Sequence, residues 1–287
     1  MLKINSLKDK YEILFFILVY LIGLNIFKDY GLSIDDEVYR SNGVFYKEFI
    51  IKYLGIIFSF NFDELNIIKN EIIENPLKDH PVIFETLLAF LVDIFSIKDI
   101  SEIYNISHLL NFTIYTLGLL AIYNLFIFRF KYKYVSIIAI SIFFLSPRFF
   151  AESFYNSRDI FFFSLFAFYL LSVKKILQDN SIRNKILLSL TSALLINAKI
   201  LGIIPVGIFI FMYSINIFEK SNKYIDSIKE ILILIIFILI FIILLWPYLW
   251  LSPLNNFIDG YLDIIKAHNE SKVITLFLGE HLTSTNT

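Results

Sequence analysis

The chain contains no cysteine, which excludes disulfides and thiolate chemistry while leaving the compartment open. It also lacks a charge excess: 25 Lys and Arg stand against 26 Asp and Glu, a net charge of −1, so no basic field is available to attract nucleic acid. No Gly-rich nucleotide-cradling loop is present, and there is neither an internal repeat of fixed period nor a low-complexity tract. The first apolar stretch follows Lys3, Lys8 and Lys10 in the manner of a signal peptide. Nothing like a small-residue cleavage site comes after it, so it reads as a retained helix.

What is present is apolar. Hydrophobic residues make up 57% of the 287, with 32 Phe and 17 Tyr, and they come in blocks separated by short charged punctuation. That is the pattern of a polytopic membrane protein, in which each crossing needs about 20 apolar residues. Seven candidate spans follow, at about 11–28, 103–128, 134–147, 159–173, 184–198, 200–218 and 230–250. Residues 186–218 are almost continuously apolar, and Asn197, Lys199, Gly202 and Pro205 divide them into two short helices meeting at a polar break. The expected class is therefore all-α integral membrane with about seven transmembrane helices. The whole of 1–287 reads as one transmembrane domain, with interfacial helices at 44–60 and 82–95 inside a long first outer loop, 29–102.

Orientation follows from the positive-inside rule. With a cytoplasmic N-terminus, the inner segments hold Lys3, Lys8 and Lys10; Arg129, Lys131 and Lys133; Lys174, Lys175, Arg183 and Lys185; and Lys220, Lys223 and Lys229. The same alternation collects the unusual polar residues on the outer face.

Three consecutive carboxylates, Asp35, Asp36 and Glu37, lie just beyond the first span. Adjacent acids at a bilayer surface repel one another, so a cation or a proton-transfer task is a better reason for them than packing, although one acid can cap the following helix. His80 precedes Pro81 at the start of an apolar segment, where a capping role is ordinary. The stretch 146–159, SPRFFAESFYNSRD, places Arg148, Glu152, Arg158 and Asp159 among aromatic residues. It suits either an interfacial belt or a phosphate clamp, because guanidinium meets phosphate oxygens bidentately. Lys199 stands alone in its apolar run, and an ionisable residue at membrane depth costs about 2.5–3.5 kcal/mol on insertion scales. Trp246, Tyr248 and Trp250 read as an interfacial anchor. His268 and His281 have no metal-motif spacing, and the glycosylation-type triplets at Asn105 and Asn111 lie inside a span.

The order of these motifs resembles a known superfamily. Asp36-Glu37-Val38-Tyr39, then His80-Pro81, then Arg158-Asp159 opening a span, then Asn197-Ala198-Lys199 through Gly202, is similar to the protein O-mannosyltransferase and aminoarabinose-transferase group, integral-membrane glycosyltransferases of the GT-C class. The likeness covers roughly residues 10–220. It departs from the family in having one proline after His80, no Gly-Lys pair after it, and about seven spans where eleven or more are usual, so the chain is expected to be the N-terminal part of a larger fold.

The resemblance implies an inverting glycosyltransferase in a bacterial plasma membrane, with its site on the outer face. The donor would be a polyprenyl-phosphate sugar drawn from the membrane lipid, and the acceptor a hydroxyl-bearing molecule. Asp36 would be the base and Asp159 a second catalytic carboxylate. Glu37, His80, Arg148, Arg158 and Lys199 would hold substrate, with a divalent cation as the one cofactor in view and no nucleic-acid partner. A transporter or flippase, and a non-catalytic relative, are the alternatives.

Overall fold

A computed structural model describes residues 10–33, 35–75, 78, 82–220, 224–270, 273–277 and 280–284. It is almost wholly helical. In chain order the helices are α1 Lys10–Ile26, α2 Asp36–Ser59, α3 Leu65–Glu74, α4 Ile83–Ile94, α5 Ile100–Phe130 and α6 Lys133–Leu145. They continue with α7 Pro147–Tyr155, α8 Ser157–Gln178, α9 Ile182–Ala198, α10 Ile203–Lys220, α11 Tyr224–Leu245 and α12 Pro253–Glu270. A short antiparallel hairpin, β1 Val273–Phe277 and β2 Glu280–Ser284, pairs Val273 with Ser284 and Phe277 with Glu280.

Among the described residues, four helical segments are long and apolar enough to cross a membrane: α5, α8, residues 200–219 and α11. A fifth crossing is available if α6 and α7 form one span, although they meet at a bend of 67°. The expected span 134–147 is corrected accordingly. Pro147 has no N–H to donate and drives the preceding residue out of the helical region, and Ser146 is extended at φ −66°, ψ 117°. The first and fifth expected spans are helices α1 and α9 of 17 residues each, at the short end of the range that crosses a bilayer. The helix break after Ala198 is where the sequence places it, and a 3-10 turn, Ile200–Gly202, leads into α10.

Contacts divide the chain, taken above as one domain, into two compact units: residues 1–48 with 82–245, and residues 49–81 with 246–287. In the first, α5 is the central helix. Its Phe112, Tyr115 and Leu119 are fully buried with Val19 of α1, Phe154 of α7 and Ile160 of α8. Phe112 stacks on Phe154 with ring centroids 4.7 Å apart, and Tyr30 stacks on the same phenylalanine at 4.2 Å. Gly23 allows α1 this close, since a Cβ there would lie 2.1 Å from the Phe112 ring.

Lipid is as apolar as leucine, so close packing and interhelical hydrogen bonds hold such helices together in place of a hydrophobic driving force. The first unit has these links. Tyr20 bonds Thr113 at 3.0 Å, Ser172 bonds Thr191 at 2.6 Å, and the Tyr169 hydroxyl donates to the Pro205 carbonyl at 2.9 Å. Asn197 donates to the Ile242 carbonyl at 3.1 Å, tying α9 to α11.

The second unit contains the end of α2, α3, a 3-10 turn Pro247–Trp250, α12 and the hairpin. Trp246 and Tyr248, expected as an interfacial anchor, are instead buried at 2% and 3% exposure. The Trp246 indole donates to the Lys78 carbonyl at 3.3 Å, and Asn256 donates to the Tyr248 carbonyl.

Candidate active site

Three segments of the first unit converge: the start of α2, the start of α8 and the break between α9 and α10. Each is shaped by local backbone chemistry. At α2, the Asp36 carboxylate accepts the Ser33 N–H at 2.8 Å, the Ser33 carbonyl accepts the Asp36 N–H at 3.2 Å, and the Ser33 hydroxyl accepts the Asp35 N–H at 3.4 Å. At α8, the Asn156 side chain accepts the Asp159 N–H at 3.0 Å and donates to the Asp159 carboxylate at 2.9 Å. Both acids expected to be catalytic therefore also begin their helices.

At the third segment, Lys199 leaves α9 in extended geometry, and its carbonyl accepts the Gly202 N–H at 2.8 Å. Gly202 is required for the reversal, because a Cβ there would meet the Leu195 carbonyl oxygen at 2.6 Å. The break carries the Lys199 ammonium to Asp159, with which it forms an ion pair.

Tyr39 and Arg40, one turn into α2, complete the convergence. The Arg158 guanidinium donates to the Tyr39 hydroxyl and lies 4.1 Å from that ring's centroid. Arg40 sits 5.8 Å from the centroid of Tyr104 on α5, and its Nε is buried with no hydrogen-bond partner.

Below them is Glu85 of α4, 8% exposed, accepting a hydrogen bond from the Ser157 hydroxyl at 3.0 Å. Gly43 brings the α2 backbone onto α4 here, since a Cβ at 43 would lie 2.5 Å from the Glu85 carbonyl carbon. A cavity of about 10 Å³, near the minimum that admits one water, is lined by Asp36, Tyr39, Arg40, Glu85, Tyr104 and Ser157 among others.

Burial dominates the electrostatics. It pushes the Asp36 carboxyl above the usual aspartate range, with Asp35 adding to the rise and the Ser33 N–H and His108 opposing it. It also pushes Glu85 upward, against the Ser157 hydroxyl and the nearby Arg158 guanidinium and with the help of Asp36. His108 of α5, 3% exposed, is fixed by a 3.0 Å bond from Nδ1 to the Phe27 carbonyl. A carbonyl only accepts, so Nδ1 carries the proton. The His108 Nε2 is buried and has no partner.

The sequence-derived residues thus separate into groups. Arg158, Asp159 and Lys199 come together, and Tyr39 links Arg158 to the helix that Asp36 begins. Glu37 is exposed, and Arg148, with a side chain 82% exposed, pairs with Glu152 of its own helix at 2.8 Å. His80 lies outside the described residues. Among the described residues no group of three or more His, Asp or Glu side chains is placed to hold a metal ion.

Arg40, Glu85 and His108 were not singled out by sequence reasoning. Glu85 and His108 are each an ionisable residue within an apolar stretch, which is the signal that drew attention to Lys199. No protein-family model, no curated protein and no solved structure matches the chain.

Proposed function

We propose that the chain is a membrane glycosyltransferase that moves a sugar from a polyprenyl phosphate to a hydroxyl acceptor with inversion at the sugar carbon. The observation that carries this reading is that a half-buried carboxylate, Asp36, begins the helix whose Tyr39 meets Arg158, while Lys199 from a third segment pairs with the adjacent Asp159. A transfer of this kind needs both parts. A base must take the acceptor proton, and a positive environment must receive the charge developing on the leaving phosphate. Asp36 supplies the first. Arg158 supplies the second, with Lys199 joining once phosphate replaces Asp159 as its partner. The resemblance described above favours the same donor class, and it favours seven crossings with a cytoplasmic N-terminus and the site on the outer face.

One observation favours a second reading, a relative that keeps the architecture without transferring. The cations are occupied within the chain, Arg148 by Glu152, Lys199 by Asp159 and Arg158 by Tyr39.

The decisive experiment is transfer by protein in lipid nanodiscs, offered polyprenyl-phosphate sugars with sugar nucleotides as control. Transfer from the lipid donor that falls about 10²–10⁴-fold in Asp36→Asn supports the proposal. Lipid-donor binding without turnover in wild-type protein selects the second reading. Preference for the nucleotide sugar overturns the donor assignment.

A further inference from the structure

Glu85 has no role in the chemistry above, yet it is the most enclosed acid of the site. Its carboxyl comes from α4 and that of Asp36 from α2, and both border the same water-sized cavity. The groups facing Glu85 are Ser157 and Arg158 from α8, Asp36, Tyr39 and Arg40 from α2, and Tyr104 from α5. Arg158 is held by Tyr39, while the buried Nε of Arg40 lacks a hydrogen-bond partner. Gly43 lets the two helices pack closely at this level.

Two carboxyl groups bordering one small cavity do not both ionise readily when the cation beside them, Arg40, makes no hydrogen bond to either. Whichever is more enclosed keeps the proton, as in other carboxyl pairs whose environments separate their roles. Glu85 is 8% exposed, whereas Asp36 is half-buried at a helix start.

We infer that Asp36 and Glu85 act as one carboxyl pair that holds a single proton in the resting protein, with Glu85 as its neutral member and Asp36 as the ionised member open to the acceptor. Glu85 is then a positioning residue. As a neutral acid it leaves Asp36 free to ionise and accepts from Ser157, fixing the residue before Arg158. This assignment rests on the transferase reading for its purpose. In that step the acceptor oxygen bonds to the sugar carbon and the carbon–oxygen bond to phosphate breaks with its electron pair on phosphate. The acceptor proton moves to Asp36, and the pair then carries two protons until one is released to water. Burial raising both carboxyls agrees with a shared proton.

The test does not require turnover. Infrared difference spectra of the full chain in nanodiscs, recorded between about pH 5 and pH 9, report the carbonyl stretch of protonated carboxyls. At about pH 7 wild-type protein should show such a band, lost in Glu85→Gln and retained in Asp36→Asn. Absence of the band at neutral pH, or its persistence in Glu85→Gln, overturns the inference, and loss in Asp36→Asn alone reverses the assignment of the two members. Folding of Glu85→Gln is checked by its thermal unfolding at acid pH, where Gln and protonated Glu are alike and midpoints should coincide. A large drop there would make Glu85 a packing residue and overturn its positioning role. Should the band behave as expected while no lipid donor is ever used, the pair stands and the transferase reading falls.

Discussion

The two ends of α8 use polar residues in opposite ways. At its end, the Lys185 ammonium pairs with Glu230, Asn180 donates to Glu230 at 3.3 Å, and the Tyr213 hydroxyl donates to Asn180 at 2.8 Å. Asn184 closes the turn by donating to the Asp179 carbonyl at 2.8 Å. The network spends its donors and acceptors on itself. At the start of α8, by contrast, Arg40 Nε and His108 Nε2 are buried without partners, and Glu85 is buried beside a cavity. Unsatisfied buried polar groups each cost about 1–3 kcal/mol, and two of those in the described residues, on Arg40 and His108, lie beside Asp36.

Breaking the closed end should therefore have the larger effect on folding. The Lys185 side chain is 7% exposed and that of Glu230 34%. Glu230→Gln leaves the lysine charge enclosed and should lower stability by about 3 kcal/mol, towards the small end of values for broken buried pairs because Glu230 is partly wet. Lys185→Met with Glu230→Leu should recover most of that loss. Denaturant unfolding in detergent measures both, and equal stability of Glu230→Gln and wild type would remove the contrast.

The next effect in size concerns the junction of α2 and α4. Gly43→Ala places a methyl group against the Glu85 backbone, which cannot yield as a flexible side-chain end could. A loss of about 1–3 kcal/mol is expected, as for other overpacked sites. Transfer should fall as well, because the displaced helix carries Asp36. Gly55→Ala on the same helix, with open space at its Cβ position, is the control and should match wild type or exceed it slightly in stability.

Much of this was legible in the sequence, and the limits have physical causes. The break at Lys199 could be read because a charge and a glycine interrupt an apolar run. The bend at Ser146-Pro147 could have been read from proline alone, yet a hydropathy window averages across it. Apolar length also does not tell what a helix faces, since half of the apolar window of α5 is buried in protein while only 17% of that of α11 is, though both read as spans. Glu85 was obscured by its neighbours. A single acid in an apolar helix has the hydropathy of an interfacial helix, and only its contact with Ser157, 72 residues away, reveals its place in the site. The pairing of Asp159 with Lys199 and of Arg158 with Tyr39 is likewise tertiary, with no local spacing to announce it.

The smallest expected effect separates the two duties of Asp36. As a cap it needs only an acceptor for the Ser33 N–H, and an asparagine oxygen serves equally. As a base it needs a charge, and burial opposes that charge, raising the folded value above the ordinary 3.8. Below 3.8 the carboxyl is protonated in both folded and unfolded chains, so wild type and Asp36→Asn should differ little. As pH rises past that value the unfolded chain ionises first, and wild type loses stability until the folded carboxyl ionises too. Above that point the deficit is constant. Asp36→Asn should therefore be inactive yet slightly more stable than wild type at neutral pH, whereas Asp36→Ala, without an acceptor, should lose about 0.5–2 kcal/mol of capping. Unfolding midpoints of the three proteins across the acid to neutral range decide it. If Asp36→Asn were the less stable protein at neutral pH, the ionised carboxylate would be serving the fold, and the start of α8 would resemble its other end after all.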